Sequence, residues 1–175
     1  MIDVHGTICG SDDWSVRHPA TMPEGYTIDA RGVRCTNNGY GSHAQIVNCN
    51  QCGHVYANPR WSEEDLLQAY GDVEDQTYLE ERQGRELTFA NHLNDMEKIT
   101  GPANGRSLLD VGAYIGVFLE KAKNADWEVL GVEPSRWCVD VAKEHHLPVI
   151  EGTMDVLDPT EHQFDVVTMW DVSAH

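Results

Sequence analysis

Apolar and polar positions fall into two regimes along this chain. Residues 1 to about 60 show little periodic apolar pattern, and Gly, Asn, Asp, Ser and Pro interrupt them repeatedly. Such a stretch predicts short strands and turns with little core of their own. Beyond it the pattern becomes helical. Ser62, with Asp65 three residues on, reads as a capping box ahead of a helix with Leu66, Leu67 and Tyr70 on its apolar side and Gly71 at its end. A longer helix is predicted from about 77 to 99, where Phe89, Leu93 and Met96 share one stripe. Gly84 weakens its first half, and Gly101-Pro102 stops it.

From Arg106 onward, short apolar runs alternate with amphipathic segments. Strands are predicted at 107–111, 128–133, 148–151 and 164–171, and helices at 117–123 and 135–145, the second capped by Ser135. That rhythm predicts an α/β fold, a parallel sheet with right-handed crossovers. The last strand is the most hydrophobic, and the chain stops at His175, four residues past it. A sheet ending there would expose a central-type strand as an edge, so the expectation is a fragment of a longer protein. Three regions are expected: an N-terminal segment at 1–60, a helical linker or lid at 61–104, and a partial ligand-binding domain at 105–175. Tyr70 and Tyr78 are the candidate lid residues.

Composition narrows the partners. The chain carries 12 Lys plus Arg against 29 Asp plus Glu, a formal net charge of −17, which argues against binding nucleic acid through its phosphates. No apolar run is long enough to span a membrane, and the acidic first thirty residues lack a leader's apolar region. The expected location is cytoplasmic, and the expected partner is a small molecule rather than nucleic acid or membrane.

The chemistry concentrates at 107–116. An apolar strand ends in Asp110, a turn holds Gly112 and Gly116, and a helix follows. A dinucleotide fingerprint would have a third glycine between these two, where Tyr114 stands, and Asp110 would repel a pyrophosphate. A ligand with a cationic end and no phosphates suits the turn better, and S-adenosylmethionine is such a ligand. Asp110 would face its ammonium side, the glycines would let backbone close over it, and Glu133 at the next strand tip would accept the ribose hydroxyls.

In this order, Leu108-Leu109-Asp110-Val111-Gly112-Ala113-Tyr114-Ile115-Gly116, Gly131-Val132-Glu133-Pro134-Ser135, Glu151-Gly152-Thr153-Met154-Asp155 and Phe164 through Val172 resemble the first half of a class I S-adenosylmethionine-dependent methyltransferase. The resemblance implies a Rossmann-like sheet of seven strands, of which this chain supplies the first four. It implies cofactor contacts from Asp110, Gly112, Ala113, Gly116 and Glu133. Met154 and Asp155 would flank the adenine, and Trp170 and Asp171 would lie beside the methionine moiety. Tyr114 departs from the pattern, and an acid is missing ahead of His175, the candidate base. The alternatives are a non-catalytic interaction module on a degenerate cofactor fold and a nicotinamide-dependent oxidoreductase.

The cysteines tell a second story. Five of them in such a chain argue against a disulfide framework. Cys49-Asn50-Gln51-Cys52-Gly53 is a metal knuckle, and Ile8-Cys9-Gly10 looks like the second half of another, with its first cysteine missing at Gly6. Candidate metal ligands are Cys9, Cys49, Cys52 and His5, with Cys35, His43 or His54 as alternatives for the fourth. Relatives of the methyltransferase group carry a zinc-ribbon-like pair of knuckles followed by an Asn-Pro-Arg-like turn, matched here by Asn58-Pro59-Arg60. The resemblance thus implies a structural zinc. Cys138 reads as a buried small hydrophobe.

Overall fold

The computed structural model describes residues 1–36, 41–170 and 172. The chain divides into two units, the first comprising Met1–Val33 and Asn37–Ala69, the second Arg34–Thr36 and Tyr70–His175.

Unit 1 is built on a small antiparallel sheet of order β1-β2-β3, with β1 at Trp14–His18, β2 at Ile46–Cys49 and β3 at Val55–Ala57. A one-turn helix, α1 (Ala30–Val33), lies between the first two strands in sequence. Asn58 is buried and ties the unit's beginning to its end: its Oδ1 accepts from Val4 N–H at 2.9 Å, and its carbonyl accepts from Gln45 Nε2. The box ahead of α2 (Glu63–Gly71) forms, with Asp65 N–H donating to Ser62 Oγ at 3.1 Å and Ser62 N–H to Asp65 Oδ2 at 3.3 Å.

Unit 2 holds the parallel sheet, in the order β6-β5-β4-β7. Its strands are β4 (Ser107–Val111), β5 (Glu128–Glu133), β6 (Val149–Glu151) and β7 (Val166–Met169). The helices α5 (Val117–Asn124) and α6 (Arg136–Glu144) connect β4 to β5 and β5 to β6. This is a Rossmann-like α/β arrangement. β4 lies between β5 and β7, so the chain winds away from it in both directions, and a crevice opens at its carboxyl end. The core joins Leu93 and Met96 of the long helix to Leu108, Phe118, Leu119, Ala122, Val139 and Ala142.

Two boundaries differ from the pattern-based expectation. The helix expected at 77–99 is two helices, α3 (Gln76–Glu80) and α4 (Arg82–Thr100). Asp75 starts α3 by accepting from Tyr78 N–H, and Glu81 leaves helical geometry at φ −88°, ψ 6°. Of the strand expected at 164–171, the described residues pair over 166–169; at its start Asp165 turns its side chain to Ser107, taking that residue's N–H at 2.9 Å and hydroxyl at 3.0 Å. Among the described residues no helix is long and apolar enough to cross a membrane.

Candidate functional site

The turn after β4 is held by the neighbouring strand. Gly112 and Ala113 both donate N–H to Val132 O, at 2.9 and 3.1 Å. Gly112 has φ 72°, and a Cβ there would lie 2.7 Å from Val172 Cγ2, so both backbone angle and space require glycine. Gly116, at φ 78°, opens α5. Tyr114 stands between them in the same left-handed region, at φ 52°. A tyrosine is unfavourable there by roughly 1–2 kcal/mol, so surrounding bonds must fix it.

Those bonds are present. Tyr114 N–H donates to Glu133 Oε2 at 2.9 Å, and the phenol donates to Asp75 Oδ2 at 2.8 Å. Asp75 is wholly buried and also receives Thr36 Oγ1 at 2.6 Å, Thr36 N–H at 3.2 Å and Tyr78 N–H at 3.1 Å. Burial alone would raise its pKa, but the bonds from Thr36, Tyr114 and Tyr78 outweigh it and hold the carboxyl below its ordinary value. The Tyr78 ring lies 4.5 Å from that of Tyr114, and the Arg85 guanidinium lies 3.7 Å over the Tyr78 ring. Asp75 and Thr36 escaped the sequence reading. An acid before a short helix is a visible N-cap signal, but its pairing with Tyr114 is not.

Two buried acids lie near the carboxyl ends of β4 and β5. Asp110, 2% exposed, accepts from Thr168 Oγ1 at 2.7 Å. Burial pushes its pKa up to about 7, against the lowering by Thr168 and with a further rise from Glu133. Glu133 sits at the tip of β5, its Oε1 accepting from Ser135 N–H and its Oε2 from Tyr114 N–H, both at 2.9 Å. Burial raises its pKa despite those two bonds. Each carboxylate oxygen keeps a lone pair for a further donor. Gly152 N–H donates to Glu133 O at 2.9 Å, which brings the loop carrying Met154 and Asp155 to the same strand tip. Met154 is 49% exposed, and Asp155 takes Thr153 Oγ1 at 3.4 Å. Ala113 is buried within the turn.

A methyltransferase-domain family model matches residues 78–175. The chain belongs to the methyltransferase family. No curated protein matches it. Membership assigns methyl transfer as the methyltransferase's class of chemistry. Trp170, at the end of the matched sheet, stacks on His92 with ring centroids 4.7 Å apart and also meets Phe118 at 5.1 Å. Its indole Nε1 is buried with no hydrogen-bond partner among the described residues. Asp171 and His175 lie outside the described residues. Tyr70 is half-buried.

In unit 1 of the methyltransferase, the sulfurs of Cys9, Cys49 and Cys52 all lie within 4.8 Å of one another. Cys9 Sγ and Cys49 Sγ are 3.6 Å apart. A tetrahedral zinc with Zn–S bonds of about 2.3 Å has S–S edges of roughly 3.8 Å, so the spacing fits a thiolate-bound metal. Backbone N–H groups, that of Cys52 above all, lower the Cys49 pKa to about 7, against burial. The other candidate ligands lie elsewhere. His5 is exposed and outside the group, His43 Nδ1 contacts Ala44 O, and His54 Nε2 lies 3.3 Å from Thr7 Oγ1. Cys35 belongs to unit 2, and Cys138 is buried on α6.

Proposed function

We propose that the protein transfers the methyl group of S-adenosylmethionine to a small-molecule acceptor. The observation that carries this reading is the pair of buried acids flanking the Gly112–Gly116 turn. Asp110 offers a desolvated negative charge where a cationic amino-acid end would lie, and an ammonium there would offset its burial. Glu133, aligned by two backbone N–H groups, offers acceptors for a ribose diol. Two acids and a crowded turn suit a phosphate-free ligand and disfavour a dinucleotide.

The bound cofactor supplies a methyl group already activated by its sulfonium sulfur. The protein's own task is then to bind and align. Thr168 holds Asp110, Ser135 and Tyr114 hold Glu133, and Asp75 holds Tyr114. Met154 and Asp155, on the loop tied to Glu133, are the candidates to flank the adenine. The net charge of −17 supports a small acceptor over a nucleic acid. Zinc bound by Cys9, Cys49 and Cys52 would serve unit 1 as a structural staple.

Calorimetry with S-adenosylmethionine, S-adenosylhomocysteine and NAD tests the reading. The sulfur ligands should bind and NAD should not. Binding of NAD without either sulfur ligand would overturn it.

A further inference from the structure

The cysteine cluster is supplied by two turns of the same construction. At the tip of the β2–β3 hairpin, Cys49 N–H donates to His54 O at 2.8 Å and Gly53 N–H to Cys49 O at 2.9 Å. In the N-terminal loop, Gly6 N–H donates to Ser11 O at 2.8 Å and Gly10 N–H to Gly6 O at 2.7 Å. Gly53 and Gly10 close the two turns with φ of 75° and 73°. Position for position, Cys9 matches Cys52 and Gly6 matches Cys49. One turn therefore provides two sulfurs and the other provides one.

Glycine is not needed at position 6 by the backbone. Gly6 lies outside the left-handed region, and a Cβ on it would meet nothing closer than Ser11 O at 3.4 Å. It is buried, and the next atoms that Cβ would meet are Cε1 and Oη of Tyr56, at 3.8 Å. Tyr56 Oη is itself buried and has no hydrogen-bond partner among the described residues. The ring is fixed by stacking on His54, with centroids 5.4 Å apart and planes inclined by 11°. A buried hydroxyl without a partner, beside a place where a side chain is missing, points to a group the chain does not supply.

We propose that unit 1 carries a three-thiolate metal centre whose fourth position, at Gly6, is open to a small neutral donor that hydrogen-bonds the Tyr56 phenol. The proposal rests on the zinc reading above. No ligating side chain stands at position 6, and three thiolates already give a divalent ion a net negative charge, so a ligand from solution is neutral: water at rest, or an amine or imidazole when supplied. Such a donor keeps an O–H or N–H to give to Tyr56 Oη.

The test uses the full chain loaded with cobalt(II), whose visible bands report its ligands, and imidazole as the probe. The wild type should bind one cobalt and change its spectrum saturably with imidazole. Gly6→Cys should show a four-thiolate spectrum indifferent to imidazole and hold its metal at least tenfold more tightly against a chelator. Tyr56→Phe should need about fivefold more imidazole while its metal affinity stays within twofold. Circular dichroism of each variant checks that it folds. A wild-type cobalt spectrum unmoved by imidazole overturns the open position but leaves the metal site standing. The same spectrum altered by His5→Ala assigns the fourth ligand to His5 and also overturns it. Failure to bind any cobalt or zinc removes the metal reading itself.

Discussion

Unit 2 buries Leu108, Phe118, Leu119, Ala122, Val139 and Ala142 between its sheet and helices, whereas among the described residues unit 1 buries only Ala44, Val47, Cys49 and Ala69 of its apolar side chains. The first of these cores can hold a fold by removing apolar surface from water. The second cannot, and one of its members is a cysteine of the three-sulfur cluster. The contrast extends to chemistry. Unit 2 uses its rigid core to keep two carboxyl groups buried, while unit 1 gathers three thiols that would repel one another once ionised. Strength of packing in one unit permits burial of acids; weakness of packing in the other leaves room for a metal staple of the kind proposed above.

The largest expected effect breaks this contrast directly. If a metal staples unit 1, its removal costs on the order of 10 kcal/mol of folding free energy there. Chelation, or Cys49→Ala, should abolish amide protection across β1, β2 and β3 while leaving that of β4 and β5 intact. Equal loss in both sheets, or none, would show that the units do not differ in this way.

The next effect concerns the charges unit 2 keeps buried. Asp110 has a folded pKa of about 7, above its ordinary 3.8, so the folded state holds the extra proton between those values. Its contribution is therefore present in full below about pH 4 and is lost as pH rises to about 7. Glu133, also raised, acts in the same direction. Asp110→Asn should make the protein more stable at pH 8 by roughly 2–4 kcal/mol in denaturant titrations, with a flatter profile below. A cationic ligand should stabilise the wild type more at pH 8 than at pH 5.5, read by thermal shift.

Glu133→Ala should weaken S-adenosylhomocysteine by about 1–3 kcal/mol if the acid accepts the ribose hydroxyls. Calorimetry measures this, and an unchanged affinity removes Glu133 from the site. Tyr114→Phe should cost about 1.5 kcal/mol of stability, because it withdraws a donor from the buried Asp75. The smallest effect is Ser62→Ala, about 1 kcal/mol from the lost cap, confined to melting of α2.

Much of the sheet was legible because β4 and β5 are short apolar runs between polar turns, and their ends fall where the pattern stops. The capping box at Ser62 and the cap at Ser135 were legible for the same local reason. What the sequence hides is long-range. Asp75 meets Tyr114 across 39 positions, and Ser107 meets Asp165 across 58, and no periodicity announces either. The gap at Gly6 could be read from the cysteine spacing. The space around it, and the phenol beside it, could not, because Tyr56 reaches that point only through the folded hairpin.

Tyr114 answers to both ends of unit 2's site, with its amide on Glu133 and its phenol on Asp75. Where two contacts made by one residue are coupled, the coupling is reciprocal. A ligand that tightens Glu133's hold on the turn is expected to tighten the hold on Thr36, next to Cys35, whose thiol pKa burial raises. The protein then carries its own occupancy gauge: the rate at which a mild thiol reagent modifies Cys35, read by peptide mapping to separate it from the exposed Cys9 and Cys52, should fall as ligand is added, with no engineered probe required.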